Sequence, residues 1–66
     1  MMYRIETKRY TNSDGCVVFD SWLCNNGDIE IKEAYIKFVP IDGKDVGRRC
    51  YIPLSNIHIV VQTDQN

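Results

Sequence analysis

Several things are missing from this chain, and each absence removes a class of protein. No apolar run approaches the ~18 residues that cross a bilayer as a helix, so no membrane helix is expected. The opening MMYRIETKRY holds no apolar core of about 7–15 residues, so it does not read as a secretory leader. An excess of basic charge is missing too. Eight Lys and Arg stand against nine Asp and Glu, and the net charge is −1. That balance weighs against a general nucleic-acid binder, although a local basic cluster would count for more than the sum.

The ingredients of most active sites are equally thin. Gly15, Gly27, Gly43 and Gly47 are scattered, so no glycine loop can cradle a phosphate. There is one histidine, His58, and three cysteines, Cys16, Cys24 and Cys50, with no C-x-x-C or other close ligand pair. Cys16 and Cys24 share a strand face by parity, but eight extended residues separate them by about 26 Å. Neither one zinc ion nor one disulfide spans that. Cys50 and His58 could form a nucleophile pair only if both faced the same way, and parity sets them apart. No metal, no cofactor and no catalytic residue is expected. With no leader, the chain is read as cytoplasmic, where thiols stay reduced.

What is there is a strand-forming chain. The apolar share is 44% and the charged share 26%, both ordinary for a folded domain. Sixty-six residues support one small core, read here as a single β domain over 1–62 with a frayed polar tail at 63–66.

Residues 2–10 alternate, with Tyr3, Ile5 and Thr7 on one face. Asp14-Gly15 makes a turn. Residues 16–24, CVVFDSWLC, are apolar on both faces and predict a central strand. Asn25-Asn26-Gly27-Asp28 predicts a hairpin turn. Residues 29–39 change phase near Lys32-Glu33, which predicts a strand with a bulge. The alternative is a short helix over 29–38 with Asp28 as its cap, making an α+β fold.

Pro40 ends that element, and Asp42-Gly43 makes the next turn. Residues 48–52 form a short strand, with Cys50 and Ile52 facing one way and Arg49 and Tyr51 the other. Pro53-Leu54-Ser55-Asn56 predicts a single 3₁₀ turn. Residues 57–62 form the last strand, with Ile57, Ile59 and Val61 facing the core and His58, Val60 and Gln62 facing out. Ile52 and Leu54 complete the core corner. The order predicts an all-β, five-stranded, partly open barrel, similar in architecture to SH3-like and Sm-like barrels.

Function then falls to surface aromatics and arginines, the usual anchors of interfaces. The candidate contact residues are Tyr51, Arg48, Arg49, Trp22, Tyr35 and Tyr10. Trp22 is also a candidate core filler. Asp20, a charge inside an apolar strand, either guards an edge or pairs with Arg49. These residues point to a non-catalytic binding module with a protein partner: an adaptor or a small inhibitor, including the kind mobile elements encode. The alternative is a barrel that binds RNA or single-stranded DNA through Arg48, Arg49 and Tyr51, with Lys8-Arg9-Tyr10 a second basic group. Self-association through the edge strand 57–62 is expected.

Overall fold

A computed structural model describes residues 1–63. The strands are β1 (Met2–Thr7), β2 (Tyr10–Thr11), β3 (Val17–Val18), β4 (Ser21–Ile31), β5 (Tyr35–Pro40), β6 (Cys50–Pro53) and β7 (Ile57–Thr63). A 3₁₀ turn, Leu54–Asn56, joins β6 to β7. Five of the strands form one antiparallel sheet in the order β6-β5-β4-β1-β7, and β2 pairs with β3 separately. The fold is all-β, with five main strands and the 3₁₀ turn before the last. No helix forms over 29–38.

The sheet curls but does not close into a barrel. Laid flat, five strands would put the two edges about 19 Å apart, at ~4.8 Å per spacing. The chain crosses from Pro53 on β6 to Ile57 on β7 in four steps, which reach at most about 14 Å. Only a strongly curled sheet allows this. Closure fails because β6 is four residues long and ends at Pro53, which has no N–H to donate. Among the described residues β6 pairs only with β5, and β7 only with β1.

The concave face holds the core. Ile5, Cys24, Ile36 and Phe38 are fully buried, and Tyr3, Trp22, Ile29, Cys50, Ile52, Ile57 and Val60 pack around them. Each fully buried Ile or Phe side chain contributes roughly 1.5–3 kcal/mol. The core is therefore small, and every member counts. Trp22 lies tilted across Phe38 with ring centroids 5.3 Å apart.

Three local readings are corrected by the register. The Asn25-Asn26-Gly27-Asp28 stretch is not a hairpin turn, because β4 continues through it. Cys24 faces Pro40 and Ile29 faces Phe38 across β4–β5. Between those pairs β4 advances five residues and β5 two, so three residues of β4 swell outward as an irregularity. The turn that Asn-Gly favours needs positive φ, and Gly27 does not adopt it; Gly15, Gly43 and Gly47 do. Pairing of Met2 with Asn25, and the Asn26 N–H donating to the Met1 carbonyl at 3.2 Å, hold the stretch extended.

The phase change near Lys32-Glu33 is a hairpin turn, not a bulge. Ile31 faces Ile36, and the Lys32 N–H donates to the Tyr35 carbonyl at 2.8 Å. Long side chains and an alanine make this turn without any left-handed residue, so the usual turn composition is absent.

The last strand also changes phase. Glu6 faces Ile59, but Thr7 faces Ile57, so His58 is an extra residue in β7. This bulge turns Ile57 and Val60 inward and leaves Ile59 and Val61 on the outer face, each 41% exposed. Simple alternation predicts the reverse for Ile59, Val60 and Val61. Leu54, expected in the core corner, is exposed. β7 reaches Thr63, and the rest of the expected tail, residues 64–66, lies outside the described residues.

Candidate functional site

The hairpin carrying β2 and β3 is an arm that continues β1 and β4 beyond the sheet. Its tip is built by Asn12, whose Oδ1 accepts from the backbone N–H of Asp14 at 2.9 Å and of Cys16 at 3.0 Å. Gly15 closes the tip at φ +81°, a conformation that a Cβ would strain. The base is pinned on both sides. The Thr7 N–H donates to the Asp20 carbonyl, and the Asp20 N–H donates to Thr7 Oγ1, both at 2.9 Å. The Lys8 N–H donates to the Asn56 carbonyl of the 3₁₀ turn at 2.8 Å. The other end of that turn is also held, because the Leu54 N–H donates to the Ala34 carbonyl at 3.0 Å.

These bonds draw the arm against the corner formed by β6 and the 3₁₀ turn. A groove of about 390 Å³ opens between them. Tyr10, Trp22, Tyr51, Ile52 and Pro53 give it apolar surface; Lys8, Arg9, Asp20, Thr7 and Asn56 complete the lining. Three aromatic residues from distant parts of the chain thus share one cleft. A second groove of about 320 Å³ lies across the Thr7–Arg9 ridge, lined by Glu6, Phe19 and His58. There the Arg9 guanidinium sits 5.7 Å from the Phe19 ring centroid, within cation–π range.

Each aromatic in the main groove is held differently. Trp22 is half-buried: its body packs on the core and its Nε1–H donates to Asp45 Oδ2 at 3.2 Å. It is both a core residue and a groove wall. Tyr51, 55% exposed, stands on the outer side of β6, and the ring of Tyr35 tilts against it at 6.0 Å. Tyr35 thus extends the aromatic strip beyond the groove. The Tyr10 hydroxyl donates to Asp20 Oδ2 at 3.0 Å. That bond, then the small loss of solvation and the nearby negative charge, push the phenol above its ordinary pKa and keep it a donor. Asp20 therefore pairs with a tyrosine rather than with Arg49.

The six candidate residues divide. Tyr10, Trp22 and Tyr51 line one groove, and Tyr35 adjoins it. The arginines do not. Arg49 lines a separate depression with Asp28, Glu30 and Lys37. Arg48 sits in the loop before β6, its carbonyl accepting from Cys50 Sγ at 3.6 Å. Sequence reasoning left Lys8, Arg9 and Asp20 outside the main set, although the basic pair beside Tyr10 and the lone charge in an apolar strand were visible. Pro53 and Asn56 carried no signal, because only the fold brings the 3₁₀ turn to the arm.

The thiols are dispersed: Cys16 exposed on the arm, Cys24 in the core, Cys50 half-buried on β6. Burial, with Asp28 nearby, pushes the Cys24 thiol up; burial and Asp45, opposed by Arg48, do the same for Cys50. His58 lines the second groove, where Cys50 is not a member. No helix among the described residues is long and apolar enough to cross a membrane. No protein-family model matches this chain, and no similar curated protein or solved structure was found.

Proposed function

We propose that this chain is a non-catalytic binding module, an adaptor or small inhibitor, whose protein partner seats an extended segment in the Tyr10–Trp22–Tyr51 groove. The convergence of those three aromatics in one cleft carries the reading. Tyrosine and tryptophan bring large contact area at low entropy cost, and they dominate interface energetics. Exposed Lys8 and Arg9 on the rim favour an acidic residue next to the partner's apolar anchor. Three free thiols suit a reducing compartment, the cytoplasm.

The test is affinity capture from the native host with wild type and with Tyr10→Ala/Tyr51→Ala, followed by titration of the captured protein against Trp22 fluorescence. Both tyrosines are exposed, so the variant keeps its fold. Loss of two anchors weakens binding at least ~30-fold, from about 2 kcal/mol for one hot-spot side chain. Equal capture by both forms refutes the groove as the site. Capture of nucleic acid instead, weakening steeply with salt, refutes the protein partner.

A further inference from the structure

β7 is an open edge protected by neither proline nor charge, with only the bulge at His58 to limit pairing. Its seven residues, IHIVVQT, contain no proline and no Lys, Arg, Asp or Glu. The opposite edge differs: β6 is four residues long, ends in Pro53 and follows Arg48-Arg49. Proline, charge and brevity are the devices by which edges avoid pairing with other chains. One edge of this sheet has them and the other does not. We infer that β7 pairs antiparallel with β7 of a second copy of this chain, joining two sheets into one.

The strand is self-complementary in one register. With Val60 opposite Val60 of the second copy, Ile59 faces the second copy's Val61, and Val61 its Ile59. Every central pair is then apolar and on a matching face. A shift that sets Val61 against Val61 puts Ile59 opposite Thr63 and Val60 opposite Gln62. Charge selects the same register. On the outer face β1 places Arg4 beside Val61 and Glu6 beside Ile59. The first register therefore flanks each outer-face Ile59–Val61 pair with Arg4 of one copy on one side and Glu6 of the other copy on the other. The shifted register flanks the Val61 pair with two copies of Arg4. The bulge at His58 confines the pairing to His58–Gln62, so the interface is small and the association concentration-dependent. No residue lining the aromatic groove lies in β7, so the dimer carries two free grooves and binds a bivalent target with avidity.

Sedimentation velocity, with reductant present to exclude a disulfide through exposed Cys16, tests this from about 10 µM to about 1 mM, the range for a weak interface. The wild-type mass rises from 7.7 kDa toward twice that value. Val61→Lys and Ile59→Lys, both at exposed outer-face positions, keep the folded amide spectrum and stay at monomer mass throughout. Tyr51→Ala, in the groove, dimerises like wild type. A wild type that remains at 7.7 kDa at the highest concentration overturns the inference, as does a folded Val61→Lys that still dimerises.

Discussion

Replacing Val60 and Val61 in turn by alanine tests the β7 bulge directly. The two substitutions are chemically identical and adjacent on the same edge strand, so changes in intrinsic strand preference cancel in the comparison. What remains is burial. Val60 packs against Ile5 across β1–β7, while Val61 is 41% exposed on the outer face beside Arg4. Truncating a fully buried valine removes two methylene equivalents, about 1.6 kcal/mol at ~0.8 each. Val60 is partly buried, which reduces this to about 1 kcal/mol. Val61→Ala costs within about 0.5 kcal/mol, as surface changes do. In a domain this small, 1 kcal/mol moves Tm by about 4–8 °C. Thermal unfolding followed by circular dichroism at about 5 µM, below the range of self-association, resolves that difference. The two costs differ by at least about 0.5 kcal/mol, so Val60→Ala melts at least about 2 °C below Val61→Ala. Equal melting temperatures, or a lower one for Val61→Ala, mean that β7 alternates without the bulge and that the face assignment is wrong.

Two further outcomes follow from the ionisable groups. Glu30 bonds Lys32 Nζ at 2.8 Å, with Lys37 Nζ at 3.6 Å, and the Lys32 bond and both cations hold its carboxyl below the ordinary 4.5. A lowered folded pKa contributes stability above 4.5 that is lost as pH falls through the folded value. Wild type therefore melts slightly above Glu30→Gln at pH 7, and the gap narrows as the pH falls below 4.5; a gap that stays constant refutes the pairing. Among the thiols, Cys16 reacts first with a thiol-exchange reagent at mild alkaline pH, and Cys24 and Cys50 lag until denaturant is added. Native Cys24 reacting as fast as Cys16 shows that the core is not packed as described.

Local chemistry determined a good part of this protein. Alternation over 2–10 put Tyr3 and Ile5 on one face, and that face is the one buried, although β1 itself ends at Thr7. Proline and short polar residues over 53–56 marked the 3₁₀ turn where it stands, and Pro40 ended β5. These signals are legible because they depend on one residue's φ, N–H or facing. Tertiary structure decided the rest. Asn-Asn-Gly-Asp has the composition of a turn, yet pairing of Asn25 with β1, and of Cys24 and Ile29 with β5 at its two ends, draws it into β4. The phase of β7 depends on how its register meets β1, so no periodicity within the strand reveals that Val60 is inside. The aromatic groove is the clearest case. Tyr10, Trp22 and Tyr51 were each legible as anchors, but their meeting depends on the hydrogen bond from Lys8 to Asn56 that ties the arm to the corner. Arg48 and Arg49, close to Tyr51 in sequence, do not line the groove: both precede β6, and Arg49 lines a separate depression beside Lys37. Sequence neighbours and site neighbours differ here because the curled sheet sets the arm against β6 and the 3₁₀ turn, across about forty residues of chain from Tyr10 to Tyr51.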